Sequence, residues 1–76
     1  MKIYVTQVEC LNHDTKRIYT LTDGSMVIEH TNLPGKSRFN YFDPRGNYIH
    51  KSSKRMAMKR VVEHPKYWRV RRCTIL

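Results

Sequence analysis

The stretch KRIYTLTDGSMVIEHT, residues 16–31, reads as a β-hairpin. Lys16 to Thr22 and Ser25 to Thr31 are rich in β-branched and apolar residues, and Asp23-Gly24 between them tolerates the positive φ that tight hairpin turns require. Upstream, Lys2 to Cys10 alternates in the same way, with Ile3 and Val5 expected on one side and Tyr4, Thr6 and Val8 on the other. With Leu11 to Thr15 as the connecting turn, residues 1–31 read as a three-stranded meander.

Asn32-Leu33-Pro34-Gly35 punctuates the chain, and the loop is expected to run on through Ser37. A second hairpin is expected from Arg38 to Phe42 and from Asn47 to His50. Its turn is Asp43-Pro44-Arg45-Gly46, in which Asp bonds back to the turn backbone, Pro presets φ and Gly closes the turn. Ser52 or Ser53 then caps a helix that runs free of Gly and Pro to Glu63 and stops at His64-Pro65. On a helical wheel Ala57, Met58, Val61 and Val62 share one arc, while Arg55, Lys59, Arg60 and Glu63 fill the other with Met56 among them. Lys54 falls inside the apolar arc, where its stem lies over the core and its head reaches water.

Tyr67 to Leu76 is expected to form a last strand, with a bulge at Arg71-Arg72 that puts Trp68, Val70, Cys73 and Ile75 on one face. The expected fold class is α+β. A small twisted antiparallel sheet of about five or six strands carries one helix, residues 53–63, and residues 1–76 make one domain.

The charge is unevenly spread over this frame. The 76 residues carry 15 Lys and Arg against 6 Asp and Glu, a net +9. Residues 1–35 hold three cations and four carboxylates, a net −1; residues 36–76 hold twelve cations and two carboxylates, a net +10. Such a balance excludes an acidic mimic of nucleic acid and makes an anionic partner the first expectation. Eight aromatic residues separate the chain from a disordered basic tail.

Nucleic-acid backbones reward clustered cations, because neutralising phosphates releases condensed counterions. The candidate contacts are Lys51 before the helix, Lys54, Arg55, Lys59 and Arg60 on it, and Arg69, Arg71 and Arg72 after it, with Tyr48 or Tyr67 stacking on a base. Any solvated helix also shows charge outward, so the bland reading is a soluble helix face. In the second hairpin Phe39, Tyr41, Phe42 and Tyr48 interleave with cations. At least two of the four are expected in the core, and Tyr41 and Tyr48 are the better candidates for stacking. DNA and RNA, single and double strand, stay open, as does the oligomeric state.

The main alternative is a small protein-interaction factor, such as a phage-type or accessory regulator, docking its basic face on an acidic protein surface. A small basic nuclease comes third, with His50 and His64 flanking the helix. No triad, phosphate loop or carboxylate pair is visible, so no catalytic residue, cofactor or metal is assigned and the chain reads as a non-enzyme. Cys10-Leu11-Asn12-His13 has the spacing of half a zinc site without a second close pair. Cys10 and Cys73 are expected as free thiols; should they pair, the terminal strands must be neighbours. No apolar run approaches the ~20 residues needed to span a bilayer, no leader pattern opens the chain, and a cytoplasmic location with no membrane partner is expected.

Overall fold

The computed structural model describes residues 2–50, 52–70 and 74–75, without the side chains of Lys36, Thr74 and Ile75. Its order is β1 (Val5–Leu11), β2 (Lys16–Leu21), β3 (Met26–His30), α1 (Gly35–Arg38), β4 (Phe39–Phe42), α2 (Ser53–Glu63), a 3₁₀ turn (Pro65–Tyr67) and β5 (Thr74–Ile75). The architecture is α+β. Strands β1 to β4 form an antiparallel meander, and the two-residue β5 joins β1 in parallel at the far edge, giving the order β4-β3-β2-β1-β5. The helix α2 therefore carries the chain from the β4 edge over the sheet to the β1 edge.

The expectation of five or six antiparallel strands is corrected at two places. Asn47–His50 does not form a return strand: after one bridge, Phe42 to Tyr48, and the hydrogen bond from Ile49 N to Tyr41 O (2.8 Å), the chain peels away to enter α2. Tyr67–Leu76 is not one strand either. Pro65 starts a 3₁₀ turn, Trp68 makes a single parallel bridge to Val5 outside any strand, and Thr74–Ile75 pair with β1. The expected bulge at Arg71-Arg72 and the placing of Cys73 lie outside the described residues. The loop after Pro34 also differs, closing into the single turn of α1, where Ser37 N donates to Pro34 O at 2.9 Å.

In β1 the pairing shifts between Val5 and Gln7, so one extra residue stands in the strand. This bulge puts Val5 and Val8 on the same buried face, where plain alternation would separate them. Leu21, Val27 and Tyr41 join them from the sheet, and α2 closes the core with Met58, Val61 and Val62. Burying each such aliphatic side chain contributes roughly 1.5–3 kcal/mol. The opposite face of the sheet carries Ile18, Ile28, Met26 and Phe42, with Tyr48 edge-on against Phe42 at 5.8 Å between ring centres.

The turns follow the local chemistry. Gly24 and Gly46 take φ of +90° and +88°. Asp43 Oδ1 accepts from the backbone N–H of Arg45 (2.9 Å) and Asn47 (2.8 Å). Asn12, His13 and Asp14 all have positive φ, a tight left-handed connection that Asn and Asp tolerate better than most residues. Ser52 is the N-cap of α2, its hydroxyl accepting from Arg55 N. Cys10 is disulfide-bonded, which corrects the free-thiol expectation for it. The sequence condition that the terminal strands be neighbours is met by the β1–β5 pairing.

Candidate nucleic-acid interface

The helix first turn contains no acidic residue, yet it begins with Lys54 and Arg55. Placing cations beside the positive end of a helix dipole costs stability. The hairpin turn between β2 and β3 offsets this, since Asp23 accepts a hydrogen bond from the Lys54 ammonium. Burial pushes the Asp23 carboxyl upward, but the bonds from Lys54 and from the Ser25 N–H outweigh it and hold the group below the usual carboxylate range. Lys54 is thus a tie between helix and sheet, its ammonium already engaged by a carboxylate.

The sign of the pH effect follows. A folded-state pKa below the unfolded one contributes stability that is complete above the unfolded pKa, about 4, and is lost as pH falls through the folded value. Asp14, beside Arg17, and Asp43, in its turn, shift in the same direction. Urea midpoints should therefore fall as the medium is acidified from pH 5 to pH 2, and Asp23→Asn should fall less steeply than the parent chain. Parallel curves for the two proteins would show that the Asp23–Lys54 tie contributes nothing.

Arg55 lies with its guanidinium 5.2 Å from the centre of the Tyr41 ring. Tyr41 itself is 2% exposed, and burial pushes its hydroxyl up to about 12. It is a core residue, which corrects its candidacy for stacking. Tyr48 is 45% exposed and packs on Phe42 and His50, on the side of the sheet away from α2. Of the two tyrosines proposed beside the helix cations, only Tyr67 is found there. Lys59 approaches Glu63 at 3.9 Å along the helix surface, a weak exposed pair. Lys51, Arg71 and Arg72 lie outside the described residues.

What the fold assembles instead is a groove between α2 and the segment before β1. It has a volume of about 370 Å³ and an apolar lining from Ile3, Ala57 and Val61. Tyr4 and Tyr67 add aromatic surface, and Lys2 and Arg60 add charge. Two further cations cover the tyrosines: Arg69 lies 4.0 Å over the Tyr4 ring and Lys66 5.2 Å over the Tyr67 ring. Backbone pairing fixes this geometry, because Arg69 N donates to Val5 O at 2.7 Å and so brings Arg69 alongside Tyr4. Arg60, Lys66 and Arg69 have no carboxylate partner among the described residues. Lys2 and Tyr4 were missed by sequence reasoning, because they belong to the near-neutral half. The signal that would find them is not a charge count but the choice of β1 as neighbour of the chain's end.

A second depression, of about 450 Å³, lies on the outer side of α2 between Ser52, Arg55, Met56 and Lys59. Met56 is 74% exposed. Across the sheet, buried Glu29 accepts from the Tyr19 hydroxyl (2.6 Å) and Arg38 Nε (2.6 Å). Burial, reinforced by the bond to Glu29, pushes the Tyr19 hydroxyl up to about 12. That network ties β2 and β3 to the turn of α1.

His50 and His64 sit beyond opposite ends of α2, whose eleven residues span about 16 Å. They do not face one another across a shared reaction centre. Among the described residues no group of three or more His, Cys, Asp or Glu side chains is placed to hold a metal ion, and no helix is long and apolar enough to cross a membrane. No family model, curated protein or solved structure matches this chain.

Proposed function

We propose that the protein is a small nucleic-acid-binding module that contacts phosphates through Arg60, Lys66 and Arg69, joined by Lys2 and Lys59. The observation that carries this reading is the convergence of Lys2, Arg60, Lys66 and Arg69 around one groove whose lining holds no carboxylate. Unpaired surface cations repel one another, so keeping four together costs stability unless an anion is bound there. Phosphates meet that requirement at short range and without sequence reading. In this reading the chain binds its partner and does not cleave it.

A second reading, docking on an acidic protein surface, is favoured by Met56. A methionine exposed between Arg55 and Lys59 has no use against phosphates, whereas methionine and arginine are both enriched in protein interfaces. Purification tests the two together. Nucleic acid is expected to copurify, seen as a raised 260/280 absorbance ratio that falls on a high-salt wash. Nuclease treatment should then release every partner captured from a lysate, and added RNA and DNA should stay intact. A protein partner retained after nuclease treatment, with no nucleic acid bound, would establish the second reading instead.

A further inference from the structure

We infer that the groove between α2 and residues 2–4 takes unpaired nucleotides, making the protein selective for a single strand over a duplex. This rests on the nucleic-acid reading above and adds the class of ligand. A duplex presents phosphates outward and hides its bases, so cations alone would serve it. The groove offers more than cations. Ile3, Ala57 and Val61 make it apolar, and Tyr4 and Tyr67 put two aromatic rings into the same 370 Å³, a volume at the lower end of small-ligand sites. Bases splayed from a single strand stack on tyrosine rings and on arginine guanidinium planes. Here the guanidinium of Arg69 already lies over Tyr4, so a base entering the groove meets a ring and a cation together. Lys2 and Arg60 are the charged lining residues, and they stand where the strand's phosphates must pass.

An acidic peptide would satisfy the cations but leave the aromatic and apolar lining without a matching partner. A nucleotide strand satisfies both, with planar apolar faces and one negative charge per residue. The groove is also short, so it accommodates few nucleotides, and the phosphates beyond it fall to Lys59 and Lys66.

The test compares fluorescein-labelled dT10 with a duplex of equal phosphate count, by anisotropy at one salt concentration. The parent chain should bind dT10 about tenfold more tightly than the duplex. Tyr4→Leu should lose about tenfold on dT10 and little on the duplex, with the salt dependence of binding kept. Tyr4 and its neighbours touch the sheet, so a second variant guards against misfolding. Ala57→Gln lies on an exposed position, fills the groove without changing charge, and should show the same selective loss. Equal binding of both nucleic acids, indifferent to Tyr4→Leu and Ala57→Gln, would overturn the groove inference while leaving phosphate binding in place. Binding of neither, with an oligo-glutamate peptide bound instead, would overturn the inference and the nucleic-acid reading together.

Discussion

Arg60→Glu combined with Arg69→Glu is expected to weaken binding to nucleic acid by about 100-fold at 100 mM salt. Each phosphate contact contributes close to 0.9 to the slope of log K against log salt on duplex, so two lost contacts remove nearly two decades relative to 1 M salt. Repulsion from the introduced carboxylates adds to this. Both residues are exposed on fixed backbone, Arg60 in the last turn of α2 and Arg69 bonded through its N–H to Val5 O with its guanidinium over Tyr4. The thermal transition should therefore move little. Lys54→Met is the informative contrast. Its ammonium is engaged by Asp23, so the substitution should cost about 1 kcal/mol of stability and leave affinity unchanged. If Lys54→Met instead weakened binding as much as the double reversal, the helix face alone would be the contact surface and the groove would not matter.

Trp68→Ala is expected to remove 3–5 kcal/mol of folding stability, roughly the cost of deleting a large aromatic side chain from a core. The Trp68 ring lies 5.6 Å from Tyr19, and its Nε1–H is shared between the carbonyls of Val61 (3.2 Å) and Val62 (3.1 Å). Those carbonyls belong to the last turn of α2, which lacks helical donors of its own. The same side chain thus packs the core, terminates the helix and holds the segment that carries Arg69. A domain of 76 residues has a total stability of about 4–11 kcal/mol, so the variant stands near the edge of folding. Trp68→Phe keeps a ring and loses the donor, and should cost about 1 kcal/mol beyond the lost volume. Urea titrations followed by far-UV circular dichroism separate the two. Equal losses would mean that the indole N–H, not the ring, supplies the stabilisation.

The parts legible in the sequence are those decided within a few residues. The Asp43 turn, the Ser52 cap and the stop at His64-Pro65 depend on local hydrogen bonding and φ preference and are found. The Asp23-Gly24 turn is found one residue longer, with Leu21 N donating to Ser25 O across Thr22-Asp23-Gly24 and only Gly24 at positive φ. The α+β class followed from them. The parts not legible depend on partners distant in sequence. Nothing in Val5-Thr6-Gln7 announces the bulge that turns Val5 and Val8 to one side, since it arises from the register with β2. Lys54 looked like one more exposed cation because Asp23, 31 positions earlier, is brought to it only by the packing of α2 on the sheet. Tyr41 and Tyr48 were equivalent in composition, and the sheet separates them, one into the core and one to the far side.

The candidate site shows the same division. Arg60, Tyr67 and Arg69 were identified from charge and aromatic content, but the groove that Arg60 and Tyr67 line, with Arg69 over Tyr4, needed Lys2 and Tyr4. Charge summed along the chain assigned that segment to a near-neutral half, while the parallel bridge from Trp68 to Val5 places it beside the most basic one. Among the described residues, cations therefore meet across the β1 edge, Lys2 with Arg60 in the groove lining and Arg69 over Tyr4, as well as along the helix.

The salt dependence of binding by the parent chain tests the central claim most directly. With about five phosphate contacts, log K for a labelled dT10 should fall against log salt with a slope near −3.5, a loss of roughly 100-fold between 50 and 200 mM. Binding that stays flat across that range, or that is absent at its lowest salt, would contradict it.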